Sequence, residues 1–202
     1  MRKVVVFMNL TLDGVMQAPG RPDEDRRGGF EHGGWAMPYA DHEMGIVAAE
    51  SMATTGALVF GRRTYEDFYS VWPNRTDENP FTTVLNNTPK YVASTTLEEP
   101  LPWVNSTLLQ GDGAKAVAKL KEQPGKDLVI LGSGELVKSL MQRNLIDVYV
   151  LQIHPLLLGA GRRLFSDEGS FAALRLVDSK TTTTGVIIAT YLPAVTSTVN
   201  SR

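Results

Sequence analysis

Two short glycine turns are the places in this chain where chemistry could be held. The first is Gly61-Arg62-Arg63-Thr64, between an apolar run and a segment with helical spacing. A helix start leaves backbone N–H groups unpaired and carries the positive end of the helix dipole, so it attracts phosphate. Gly61 lets a ligand approach the backbone, and Thr64 is placed to cap the helix, with Asp67 completing an approximate capping box. Arg62 and Arg63 add fork-shaped donors. The plainer reading of the same residues is a capped helix with two solvated arginines. The second turn is Leu131-Gly132-Ser133-Gly134-Glu135-Leu136, again between a buried-type strand and a helix. Its plainer reading is a tight connection with no ligand.

Other motifs drop out. Gly111, Gly113 and Ala116 fit the spacing of a dinucleotide fingerprint, but Asp112 would face the pyrophosphate and no acid ends the next strand, since Asp127 stands at its start. The phosphate-loop pattern ending in Gly-Lys-Ser/Thr is absent, and Ser133 is not in a hydrolase elbow. His32, His42 and His154 are scattered without metal-ligand spacing, so no metal site is expected. The acidic stretches Asp23-Glu24-Asp25 and Glu98-Glu99 read as solvated charge.

The elements that must position the turns follow from periodicity. Strands are predicted over Lys3–Leu10, Ala57–Phe60, Lys90–Ser94, Thr107–Gln110, Leu128–Leu131, Val148–Ile153, Leu174–Asp178 and Val186–Leu192. Helices are predicted after Asp41, after Thr64 with an aromatic stripe (Tyr65, Phe68, Tyr69, Trp72), after Gly113 and after Gly134. Residues 17–34, dense in Gly, Pro and charge, form a loop long enough to be a lid or binding loop. Strand and helix alternate, then strands alone finish, which predicts an α/β fold: a central, mostly parallel mixed sheet with antiparallel C-terminal strands. Residues 1–193 read as one domain and 194–202 as a polar tail.

Composition limits the partners. The 202 residues carry no cysteine, which removes disulfides, thiolate metal sites and thiol nucleophiles. Twenty basic against 22 acidic residues give a net charge of -2, against a nucleic-acid binder. The apolar start, Val4 to Met8, is too short for a signal segment, and no run approaches a membrane span. A cytoplasmic protein acting on a small molecule is expected.

In order, these pieces resemble the dihydrofolate-reductase-like family, and more narrowly the reductase domain at the C-terminus of the bacterial riboflavin-biosynthesis deaminase-reductase. The resemblance is carried by Leu12-Asp13-Gly14-Val15, Gly61-Arg62-Arg63-Thr64-Tyr65-Glu66, Gly132 to Leu136, Leu145-Ile146-Asp147, and His154-Pro155-Leu156-Leu157-Leu158-Gly159-Ala160-Gly161-Arg162-Arg163-Leu164-Phe165. It implies a three-layer fold that binds NADPH at the carboxyl ends of the strands. On that pattern Gly61 to Thr64 hold the pyrophosphate, Ser94 and Thr95 lie beside the adenosine phosphate, and Gly132 to Leu136 follow the nicotinamide-side phosphate. Leu12, Gly14 and Met16, with loop 17–34, cover the nicotinamide. A homodimer, through Leu156 to Leu158, is also implied.

The implied chemistry is hydride transfer to a small heterocycle or sugar phosphate, as in 5-amino-6-(5-phosphoribosylamino)uracil reduction. Asn9, Trp35, Met37, Tyr65 and Arg162 are candidates to contact substrate. Asp13 is nominated for proton delivery, with a backbone brace at the strand exit as the alternative. A dihydrofolate or pteridine reductase is disfavoured, because Met44-Gly45-Ile46 stands where those enzymes carry a pocket carboxylate. A nucleotide-binding regulatory module without turnover is the remaining alternative. The zinc site of the deaminase half needs cysteine, so if these residues work in riboflavin synthesis only the reductase step is expected of them.

Overall fold

The computed structural model describes residues 1–76, 79–165 and 171–194. Its centre is β1 (Val4–Thr11), apolar on both faces as a strand covered from both sides must be. Val4, Val6, Met8 and Leu10 enter one core, whereas Val5 and Phe7 enter the other. Around it lie β2 (Thr55–Gly61), β3 (Lys90–Ala93), β4 (Ser106–Leu109), β5 (Asp127–Leu131), β6 (Val148–His154), β7 (Leu174–Thr181) and β8 (Ile187–Pro193). The eight strands run in the order β4-β3-β2-β5-β1-β6-β8-β7. All pairs from β4 to β6 are parallel, and β8 runs antiparallel to β6 and β7.

Helices cover both faces. On one, α4 (Gly113–Glu122) and α5 (Gly134–Met141) bury Ala114, Val117, Leu120, Leu136, Val137 and Leu140. On the other, α1 (His42–Thr54), α2 (Arg62–Val71) and α3 (Pro80–Asn87) bring Met44, Val47, Tyr65, Phe68 and Leu85 to the sheet. The result is the three-layer, dihydrofolate-reductase-like arrangement expected.

Several local expectations are corrected. Helix α2 begins at Arg62 with Gly61 as its cap, so Thr64 lies inside the first turn. The reason is a competing partner: Thr64 Oγ1 accepts from Ser133 N instead of capping its own helix (3.1 Å). Asp67 completes no capping box and pairs with Arg21 of the long loop. Helix α3 was not expected. It starts at an Asn79 cap followed by Pro80, a helix-start signature. Strand β7 extends three residues past its predicted end, to Thr181. The polar tail, apart from Ala194, lies outside the described residues.

Loop 17–34 is folded. Val15, Ala18, Phe30 and Trp35 form a small core of their own. Buried Gln17 donates through Nε2 to the carbonyls of Asp25 and Arg27 and accepts at Oε1 from Arg162 N. Trp35 Nε1 donates to Gln17 O (2.7 Å).

Candidate functional site

The two glycine turns meet. β2 and β5 are parallel neighbours, so both turns leave the sheet on the same edge, where their helix N-termini converge. Gly61 N donates to Ser133 Oγ (3.0 Å) and Ser133 N donates to Thr64 Oγ1 (3.1 Å), a reciprocal clasp. Two backbone positions make it possible. Ser133 sits in the left-handed region (φ 57°), and Gly132 before it has φ 58°, with a Cβ there reaching Thr64 Cγ2 at 3.4 Å. The clasp uses only Gly61 N and Ser133 N. The first-turn amides of α2 and α5 have no intrahelical acceptors and stand ready for an anion.

These turns border a cleft of about 1070 Å³, at the large end of ligand sites (roughly 300–1,000 Å³). Ser94 and Thr95 line it beyond β3, and Phe7, Asn9 and Gln152 line it at the centre of the sheet. Ala48, Ser51 and Met52 of α1 face it, and Met16 to Pro19 and Glu24 to Arg27 of the loop form another wall. A tie from Arg21 to Asp67 straps that loop onto α2.

Most of the cleft's arginines are paired, with Arg26 of the loop donating only to the Pro22 carbonyl (3.5 Å). Arg27 binds Asp25, Arg62 binds Glu66 (3.3 Å), and Arg162 lies 3.8 Å from Glu135. Arg63 is exposed and has no carboxylate partner among the described residues. It is therefore the cation beside the α2 turn most free to take a phosphate. Glu24 accepts from Gly20 N and Arg21 N on one carboxylate oxygen (2.6 and 3.1 Å). Burial, reinforced by nearby Asp67, nonetheless pushes its pKa up against those two amides.

Of the candidate residues, Asn9, Met16, Gly61 to Thr64, Ser94, Thr95, Gly132 to Leu136 and Arg162 line the cleft. Leu12, Asp13, Gly14, Trp35, Met37 and Tyr65 do not. Leu12 and Met37 are 60% and 62% exposed, and Leu12 N is spent on Leu156 O. Tyr65 is inside the core, where its hydroxyl accepts from Trp103 N (3.0 Å), because the aromatic stripe of α2 packs on the sheet. Trp35 is buried in the loop core with its ring against His154 (5.1 Å). Gly14, with φ 78°, turns the chain after β1.

Asp13 is the brace. Its carboxylate accepts from the Thr11 hydroxyl, from Leu158 N (3.3 Å) and Gly159 N (2.8 Å), and pairs with Arg163 (3.3 Å). The Thr11 hydroxyl first, then the two amides, outweigh burial and hold its pKa at about 2. Such a group carries no proton to deliver near neutrality. The cleft also holds polar residues that the spacing did not single out, among them Glu24, Gln152 and Ser51. Glu24 was read as solvated charge because nothing in an irregular loop's spacing shows which way it folds. Gln152 had a usable signal, a polar residue inside an apolar strand, two before His154.

His154, at the end of β6, is fully buried, and desolvation lowers its pKa to about 4 from 6.5. As pH falls below about 6.5 the unfolded chain takes up a proton that the folded chain refuses until about 4. Stability is therefore expected to fall across that window by about 3 kcal/mol and then level off on this account. Urea unfolding of the native chain and His154→Gln at pH 6.5 and 4.5 checks this. Equal losses in both would contradict it.

Comparison with known proteins agrees with the architecture. A solved structure named as a putative riboflavin biosynthesis protein from Shewanella sp. PV-4 superposes with a TM-score of 0.65 at 22% identity, covering 96% of this chain and 99% of that one. A pyrimidine reductase-like protein from Corynebacterium diphtheriae gives 0.63 at 11% identity, covering 96% and 92%. The Thermotoga maritima deaminase/reductase gives 0.62 at 15%, with 96% of this chain spanning 57% of that longer one. In sequence, the uncharacterized Bacillus subtilis protein YyaP is 26% identical over 196 residues, 94% of each chain. Residues 2–188 match the family model described as the RibD C-terminal domain, and the chain therefore belongs to that family of reductase-type domains.

Proposed function

We propose that the protein is an NADPH-dependent reductase that transfers hydride to a polarised C=N or C=O group of a small heterocyclic or sugar-phosphate substrate. The observation that carries this reading is the convergence of two clasped helix N-termini and an unpaired arginine on one edge of a dinucleotide-sized cleft. The residues present fit the cofactor: amides of Arg62 to Thr64 and Gly134 to Leu136 for the diphosphate, and Arg63 for the 2′-phosphate. Ser94 and Thr95 would flank the adenosine end. NADPH, when bound, supplies the hydride. The chain's residues hold the ring over the substrate, exclude water with the strapped loop, and provide a proton for the heteroatom.

Glu24 is the residue proposed to relay that proton, because its carboxyl lines the cleft and burial shifts it toward the neutral form against the two amides it accepts from. Glu24→Gln is expected to cut turnover about a hundredfold and to remove the acid from the pH–rate profile. Asp13→Asn should keep the profile and lose only stability. The same profile in wild type and Glu24→Gln would remove Glu24 from the chemistry.

The 5-amino-6-(5-phosphoribosylamino)uracil reductase named for the Thermotoga maritima structure is the model for the substrate, with Arg162 offered to its phosphate. A folate-type site gains no support: Asp41 caps α1 and binds Thr183, and Glu50 lies 4.0 Å from Lys180 at the surface. If two copies pair through Leu156 to Leu158, Leu157 is the side chain on offer (71% exposed), since Leu156 and Leu158 pack against the loop core. The test is titration with NADPH and NADH, followed by cofactor oxidation across uracil- and pteridine-type substrates. Tight NADPH binding with oxidation by a uracil-type substrate is expected. Binding without oxidation by any substrate would favour a regulatory module, and no binding would end the proposal.

A further inference from the structure

The floor of the cleft holds an unusual uncharged pair. β1 and β6 are in register with Asn9 beside Gln152 and Thr11 beside His154, so two carboxamides stand side by side facing the cleft. Gln152 is 7% exposed, and its side chain hydrogen-bonds to no described residue. Asn9 has one contact, Oδ1 to His154 Nε2 (3.0 Å).

That contact has a direction. His154 is 0% exposed, boxed by the edges of Trp35 (5.1 Å) and Tyr39 (5.5 Å), and its Nδ1 is buried without a partner among the described residues. A neutral imidazole carries one N–H. Placed on Nδ1, that proton would be an orphaned buried donor, the rarest kind of unsatisfied group. Placed on Nε2, it is donated to Asn9 Oδ1, and only a lone pair is left unpaired. The second arrangement spends the acceptor of Asn9 on His154 and leaves its N–H2 for the cleft.

We propose that His154 is a positioning residue that locks Asn9 as a hydrogen-bond donor, so that the cleft floor selects a ligand presenting a carbonyl oxygen there. This rests on the reductase reading and deepens it by naming the recognised group. Two sources share that chemistry, the carboxamide of the cofactor's nicotinamide and a ring carbonyl of the substrate. A carboxylate would fit equally as an acceptor, but the floor offers it no cation. Gln152, with no side-chain hydrogen-bond partner among the described residues, supplies a donor or acceptor for the neighbouring atom.

The test uses the full chain with Asn9→Asp, Asn9→Ala, His154→Phe and His154→Gln, each checked for folding. Three probes separate the outcomes: adenosine 2′,5′-bisphosphate, which carries only the phosphate end, then NADPH, then uracil added with NADP⁺. Asn9→Asp, which replaces the donor by an acceptor of the same shape, should weaken the carbonyl-bearing ligand about tenfold or more and leave the bisphosphate unchanged. If it does not fold, Asn9→Ala carries the test with about a fivefold loss. His154→Phe should cost about threefold, restored by His154→Gln, whose amide still donates to Oδ1. A loss confined to NADPH identifies the cofactor carboxamide, and a loss confined to uracil identifies the substrate carbonyl. Bisphosphate binding with every Asn9 variant unchanged overturns this inference alone, whereas no bisphosphate binding to wild type overturns the reductase reading with it. Nitrogen NMR of the histidines gives an independent readout: the Nε2–H tautomer of His154 is expected near neutral pH, and an Nδ1–H tautomer would refute the lock.

Discussion

Arg63→Ala is expected to weaken NADPH binding about thirtyfold while changing NADH binding by less than about twofold. The two cofactors differ only in the 2′-phosphate, and Arg63 is the arginine at the α2 turn with no carboxylate partner among the described residues. Its guanidinium is therefore free to form charge-assisted bonds that NADH does not offer. Arg62→Ala should do less, since Arg62 is tied to Glu66 (3.3 Å). Isothermal titration of both variants with both cofactors checks the pair. Equal losses for NADPH and NADH would move Arg63 away from the 2′-phosphate.

Thr64→Val should lower both stability and affinity. The substitution keeps the side-chain shape and removes the oxygen that accepts from Ser133 N, leaving a buried donor unpaired. That costs about 1–3 kcal/mol, a fall of about 3–8 °C in Tm for a chain of this size. Because the clasp fixes both turns relative to each other, NADPH binding should weaken by about tenfold as well. Thr64→Ser, which retains the oxygen, should recover most of both. If Thr64→Val loses stability but binds NADPH normally, the clasp is structural only.

These residues also show what the chain discloses in one dimension. The strands and both glycine turns were legible because apolar runs and the glycines between strand and helix patterns are local features of the sequence. Thr64 was placed in the right turn but given the wrong partner, since its acceptor goes to Ser133, 69 residues away. Asp13 illustrates the same limit. As an acid at a strand exit it suits either chemistry or bracing, and only the fold reveals Leu158 and Gly159 donating to it from 145 and 146 residues on. Tyr65 followed the helical stripe into the core, so its position in the family-like motif did not bring it to the cleft. Glu24 lay in a stretch without periodicity, where direction is set by Gln17 and the strap to Asp67. What sequence spacing lacked for Thr64, Asp13 and Tyr65 was the identity of a distant hydrogen-bond partner.

The most direct measurement is amide hydrogen exchange with and without NADP⁺. The account predicts joint protection of the amides at Arg62 to Thr64 and Gly134 to Leu136, the two helix starts acting on one diphosphate. Protection at only one turn, or around the smaller cavity of about 330 Å³ lined by Gly28 to His32, would contradict it.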